Sequence, residues 1–120
     1  MGQLTTHVLD ISAGLPAAGL QIEVHEWLAG ASAQSALIAT VTTGKDGRAP
    51  APLVAGSAFR AGRYTLTFHT ASYFRARNVA LPEPAFLEEA VIHIGIAHPD
   101  QHYHVPLLIS PWSYSVYRGG

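Results

Sequence analysis

The sequence contains no cysteine, which excludes a disulfide framework, a thiolate nucleophile and any zinc–thiolate site. Charge is scarce as well: Asp, Glu, Lys and Arg supply 12% of the residues, about half of the ~25% usual for a soluble domain, while 48% are apolar. With histidine neutral the net charge is −1, so there is no electrostatic footprint for nucleic acid or an anionic membrane. No apolar run approaches membrane-spanning length. The opening Met-Gly-Gln-Leu-Thr-Thr lacks the basic and apolar regions of a secretory signal, and a cytoplasmic location is expected. The 120 residues suit one domain, 1–120, large enough to bury roughly two-thirds of its unfolded surface. So small a domain needs polar surface, and the shortage of charge implies that other subunits cover part of the exterior.

What is present is a succession of short strands. Residues 4–11 alternate, with His7 sharing the parity of Thr5, Leu9 and Ile11, and a Ser-Ala-Gly-Leu-Pro turn follows. Residues 19–28 place Leu20, Ile22 and Val24 on one face; 30–35 form a small-residue loop, and 36–43 a third strand. Gly44-Lys45-Asp46-Gly47 is a strong turn signal followed directly by Arg48. Pro50 and Pro52 leave room only for a short edge strand near Leu53-Val54. A clear strand then puts Tyr64, Leu66 and Phe68 inward. Residues 70–78 are the one short helix candidate, and 88–97 a further strand with His93 facing away from its isoleucines. Short strands separated by turns, with one helix, indicate an all-β antiparallel sandwich.

The densest segment is the last, His102 to Gly120: HYHVPLLISPWSYSVYRGG. Its apolar run from Val105 to Ile109 reads as a strand that Ser110-Pro111 ends. Trp112, Tyr114 and Val116 then share one face of a second strand, and Ser113, Ser115 and Tyr117 the other. The segment resembles the C-terminal signature of the transthyretin-like 5-hydroxyisourate hydrolases, HYHVPLLLSP…Y…YRGS, with Gly120 standing where the terminal serine is usual. The opening LTTHVLD is similar to that family's first motif, and TGKDGR to the turn that carries its substrate-facing arginine. The resemblance covers essentially the whole chain. It implies a transthyretin-like sandwich of two four-stranded sheets with one short helix, assembled as a homotetramer, a dimer of dimers.

The same resemblance implies the opening of the 5-hydroxyisourate ring in urate breakdown, giving 2-oxo-4-hydroxy-4-carboxy-5-ureidoimidazoline. It assigns catalysis to His7, Arg48 and His104, substrate contacts to His7, Arg48 and Tyr117, and a supporting role to Arg118. Alone, His7 reads as a structural strand residue and Arg48 as a solvated turn residue. A neutral imidazole can take a proton from water near pH 7, and an arginine fork can hold growing charge on oxygen. An activated cyclic acyl urea needs no covalent nucleophile, and no GxSxG elbow occurs.

Seven histidines also invite a metal reading in which His102, His104 and His7 ligate zinc. No HExxH spacing supports it, and an arginine in the site would repel the cation, so no metal and no cofactor are expected. His25, His69, His93, His98 and His102 read as structural or surface residues. The competing function is a transthyretin-like carrier that binds a small ligand without catalysis.

Overall fold

The computed structural model describes residues 2–27 and 35–120. The loop expected over 30–35 and the strand end expected at Leu28 therefore lie outside the described residues, apart from Ser35, which opens a strand. The described chain forms β1 (Gln3–Asp10), β2 (Leu15–Pro16), β3 (Gln21–Trp27), β4 (Ser35–Thr42), β5 (Val54–Ala55), β6 (Gly62–Phe68), α1 (Thr70–Ala76), β7 (Ala90–Ile96), β8 (His102–Ile109) and β9 (Tyr114–Val116).

These strands build the expected sandwich. One sheet has the order β4-β3-β6-β7; the other runs β2-β1-β8-β9, with the two-residue β5 pairing the start of β1. Two differences from a plain antiparallel pair of four-stranded sheets matter. The second sheet has five strand segments because β2 and β5 are mere two-residue contacts on β1. Its central pair, β1 and β8, is parallel, with Thr5 opposite His104 and His7 opposite Pro106. Parallel neighbours need a long crossover, and here nearly the whole chain, including the other sheet, lies between them.

Alternation decides which face is buried. Leu4, Thr6, Val8 and Asp10 of β1 point into the sandwich, as do Tyr103, Val105, Leu107 and Ile109 of β8. The apolar ones among them meet Leu20 and, from the other sheet, Ile22, Val24, Tyr64, Leu66 and Phe68 in one core. Each fully buried aliphatic chain such as Leu107 stabilises the fold by about 1.5–3 kcal/mol relative to exposure. The outward face of β1 and β8 carries Thr5, His7, His102 and His104, so one sheet surface collects the polar groups that the alternation leaves outside.

One buried polar side chain ties the helix to this sheet. Asp10, 2% exposed at the end of β1, accepts from Tyr73 Oη of α1 at 2.9 Å and from the amides of Ser12 and Ala13 at 3.0 and 3.2 Å. The Ser12 hydroxyl donates to the same carboxylate. Burial, with the bond to Asp10 next, pushes the Tyr73 phenol up to about 12, so it stays a donor.

The C-terminal hairpin is tighter than the sequence pattern predicts. The second strand expected from Trp112 to Tyr117 is only Tyr114–Val116. Ser110 explains the loss at its start: its hydroxyl accepts from the amides of Trp112 and Ser113 at 3.3 and 3.1 Å, and its own amide donates to the Ser113 carbonyl at 2.9 Å. A serine turn therefore consumes Trp112 and Ser113, which an alternating reading assigns to the strand. Trp112 stays exposed and lies against Phe86, with ring centroids 5.9 Å apart.

Candidate active site

Arg48 is delivered by the turn that the sequence marks. Gly47 has φ of 78°, a left-handed conformation that suits glycine, and its carbonyl accepts from the Val8 amide at 2.9 Å. A Cβ at this position would sit 2.3 Å from the Val8 carbonyl oxygen, so only glycine lets the turn dock on β1. The docked turn forms an antiparallel bridge between His7 and Arg48. Asp46 orders it twice. Its carboxylate accepts from the Arg48 amide at 3.0 Å, and its carbonyl lies 2.8 Å from His7 Nε2. A carbonyl only accepts, so neutral His7 carries its proton on Nε2 and presents a lone pair at Nδ1.

Beside this bridge the outward face of β1 and β8 opens into a cavity of about 540 Å³. Thr5, Arg48, His102, His104 and Gly120 line it, and residues 49–52 form its apolar wall. Thr5 Oγ1 lies 2.8 Å from His104 Nδ1 and 2.7 Å from His102 Nε2. The imidazole of His104 is half-buried, and its pKa is held below the usual value. Burial is the main cause, followed by the positive charge of Arg48 and then by the neighbouring imidazoles of His102 and His7. His104 is therefore a neutral ring at neutral pH, next to a permanent cation. That combination can accept a proton from water and hold negative charge on an adjacent oxygen.

The end of the chain supports β8. Arg118 stacks on Tyr103 with its guanidinium carbon 4.0 Å from the ring centroid, and it donates to Gln101 Oε1 at 3.2 Å and to the His102 carbonyl at 3.4 Å. Gly119 bridges His104, donating its amide to the His104 carbonyl at 2.7 Å, and the imidazole lies across it. Tyr117 stands apart from this group. It is 58% exposed and lines a second open cavity of about 510 Å³ with His93, Tyr103, Val116 and Arg118. Within this single chain the structure thus brings together Arg48 and His104, with His7 beside Arg48, but does not bring Tyr117 to them. Among the described residues no group of three or more His, Asp or Glu is arranged to hold a metal ion.

The sequence profile of the HIUase/Transthyretin family matches residues 4–119. The chain belongs to this family. It is 54% identical over 119 residues to a 5-hydroxyisourate hydrolase of Pseudomonas aeruginosa, covering 99% of this chain and 92% of that one. Among solved structures it superposes on a 5-hydroxyisourate hydrolase of Klebsiella pneumoniae with a TM-score of 0.80 at 33% identity, each chain wholly covered. An (S)-allantoin synthase gives a TM-score of 0.90 at 39% identity; 99% of this chain is covered, and it spans 44% of that longer chain. Sea bream transthyretin in complex with thyroxine gives 0.85 at 29% identity, covering 98% of this chain and 94% of that one.

In this HIUase/transthyretin chain three residues of the candidate site are not legible as such from the sequence. His102, outside the metal reading, reads as a structural or surface residue, yet it lines the cavity; Thr5 carries no expectation, and Gly119 only its place in the C-terminal signature. A signal for two of them exists in the parity. Thr5 lies two residues before His7 and His102 two before His104, so each pair shares a strand face. What the sequence conceals is the parallel pairing that sets the two faces side by side.

Proposed function

We propose that this chain is a 5-hydroxyisourate hydrolase that works by His-assisted attack of water, without metal or cofactor, giving 2-oxo-4-hydroxy-4-carboxy-5-ureidoimidazoline. The observation that carries the mechanism is the half-buried His104, its pKa held below the usual value, sharing an open cavity with Arg48, in a chain similar along nearly its full length to hydrolases of that name. Arg48 holds the substrate ring and faces the acyl oxygen. His104 Nε2 removes a proton from water as the hydroxyl oxygen bonds to the ring acyl carbon. Arg48 stabilises the resulting oxyanion. The intermediate collapses, the C–N bond breaks, and the departing nitrogen takes the proton back from His104. Water is thereby divided between a new carboxyl group and a new N–H, and the imidazole is regenerated. His7, its Nε2 committed to Asp46, offers Nδ1 as an acceptor that holds the substrate.

A thyroxine carrier such as the sea bream protein shares the fold, but a carrier has no use for a neutral imidazole held next to a guanidinium. Tyr117 and Arg118 complete the proposal: Tyr117 as a substrate contact given by one subunit to the site of another, Arg118 as the brace of β8. The single domain, residues 1–120, assembles as a homotetramer, a dimer of dimers, in the cytoplasm. Exposed Ile11 and Leu15 lie toward one end of the site-bearing sheet, and β7 and β9 end their sheets as edges without a partner among the described strands. Such edges are hazards unless covered.

The test is the ultraviolet decay of 5-hydroxyisourate freshly generated from urate, with and without the protein, before and after exhaustive chelation. Acceleration that survives chelation is expected; decay at the spontaneous rate refutes the reading. Sedimentation is expected to give four subunits for the wild type. Leu108→Glu, on the outward face of β8, is expected to shift the species to lower mass and lower activity together.

A further inference from the structure

The hydroxyl between the two imidazoles of β8 has a consequence for the base. Thr5 Oγ1 is within hydrogen-bond distance of both His102 Nε2, at 2.7 Å, and His104 Nδ1, at 2.8 Å. A threonine hydroxyl has one proton, so it donates to one ring and accepts from the other. Two arrangements are possible. In one, Thr5 donates to His104 Nδ1, and neutral His104 then carries its proton on Nε2. In the other, His104 Nδ1–H donates to Thr5, and Thr5 donates to His102 Nε2.

Only the second arrangement makes His104 a base. Its Nδ1 is occupied by Thr5, which leaves Nε2 as the atom for water, and Nε2 has a lone pair only when the proton is on Nδ1. That requires the hydroxyl proton to point at an acceptor other than His104. His102 Nε2 is that acceptor. We propose that Thr5 and His102 are positioning residues that hold His104 in its Nδ1–H form with Nε2 free, through one shared hydroxyl. The proposal rests on the hydrolase reading for its kinetic effect, but the tautomer itself is a property of the unliganded protein.

The bridge is built into the strands. Thr5 faces His104 across the parallel β1–β8 pair, and His102 is two residues from His104 on the same face. Arg118 grips the His102 carbonyl and Gly119 the His104 carbonyl, so the backbone under both rings is held from the other side. The hydroxyl therefore plays for His104 the part that an orienting acceptor plays behind other catalytic imidazoles, where the wrong tautomer costs up to ~10⁴ in turnover.

Long-range proton–nitrogen correlation spectra of the 15N-histidine protein above pH 7.5 report each tautomer directly. The expectation is a protonated Nδ1 and a bare Nε2 for His104, and a bare Nε2 for His102. Thr5→Val should give a mixture of His104 tautomers and lower kcat about tenfold or more with little change in KM. Thr5→Ser should recover the wild-type tautomer and most of the turnover. His102→Leu leaves Thr5 free to donate to His104 and should enrich the Nε2–H form. A His104 already in the Nε2–H form in the wild type overturns the proposal, as does a Thr5→Val protein with unchanged spectrum and kcat. A wild type that does not hydrolyse 5-hydroxyisourate defeats the hydrolase reading instead, and the spectra still decide the bridge.

Discussion

Gly119→Ala is a sensitive probe of the site, because it adds one methyl group beneath the base. A Cβ on Gly119 would lie 2.8 Å from His104 Cδ2, 3.4 Å from His104 Cγ and 3.3 Å from Pro106 Cγ. Ordinary contact begins near 3.4 Å, so the first distance is short by about 0.6 Å (3.4 less 2.8). The backbone cannot yield easily, since the Gly119 amide is bonded to the His104 carbonyl at 2.7 Å within a β-bridge. The proline ring closes another direction. The imidazole must turn, and turning carries Nδ1 away from its 2.8 Å contact with Thr5. Catalytic groups tolerate only about 0.5 Å of displacement, and a shift of ~1 Å can cost ~10²-fold. The expected loss in kcat is therefore about 10- to 100-fold. Stability should barely change, because the site lies outside the core. Initial rates on fresh 5-hydroxyisourate, with a thermal melt of each protein, make the test. Gly95→Ala, where a Cβ meets open space, is the control. A Gly119→Ala protein that melts like the wild type and keeps its kcat within twofold would refute the reasoning.

His104→Ala should cut kcat by at least ~10²-fold in a folded protein, and adding His7→Ala should cost less than the two separate losses combined, as groups acting on one substrate are not additive. His104 works as the neutral ring and its pKa is lowered, so the acid limb of kcat/KM should lie below the ordinary imidazole value of ~6.5. Arg48→Met should raise that midpoint as well as weaken turnover, which a pH–rate profile reads directly. The same shift has a stability sign. The unfolded state binds the proton first as pH falls below ~6.5, so His104 costs the fold stability from there downward through its folded pKa, and the urea midpoint of the wild type should fall relative to that of His104→Asn as the pH is lowered. Asp10→Ala strands the Tyr73 phenol and the Ser12 donors and should cost about 3 kcal/mol, lowering Tm by roughly 10 °C in calorimetry without moving His104.

How much of this was legible varies with the range of the interaction. The faces of β1, β3, β6 and β8 follow from local alternation, and the expected inward residues Leu20, Ile22, Val24, Tyr64, Leu66 and Phe68 are all fully buried. The turn carrying Arg48 was legible because Gly44 and Gly47 punctuate it locally. Local alternation places Trp112 and Ser113 on a strand that the structure does not give them, since it takes no account of a serine hydroxyl that closes its own turn. Thr5 and His104 are 99 residues apart, and no local pattern reports that they touch. Gly119 was legible as part of a motif but not as a surface for the base, which depends on how the terminal residues fold back along β8.

The candidate site therefore depends on register more than on any single residue. Parallel pairing sets Thr5 against His104 and Gln3 against His102. A slip by one residue would turn every outward group inward, and the buried alternation of both strands forbids it. A slip by two would keep the faces and still destroy the Thr5 bridge, so hydrophobic pattern alone cannot exclude it. Something directional must. Thr6, 3% exposed, donates its hydroxyl to the Val105 carbonyl at 2.7 Å inside the sandwich. At the far end the Ile11 amide donates to the Ile109 carbonyl at 2.9 Å, just beyond the Asp10 carboxylate that clamps α1. A two-residue slip would have to find new partners for a buried hydroxyl and pull β1 away from that clamp, at a cost of about 1–3 kcal/mol for each group left unpaired. The polar groups within the sandwich thus fix the alignment of the polar groups outside it. That is how two strand ends a hundred residues apart in the chain hold one imidazole in place.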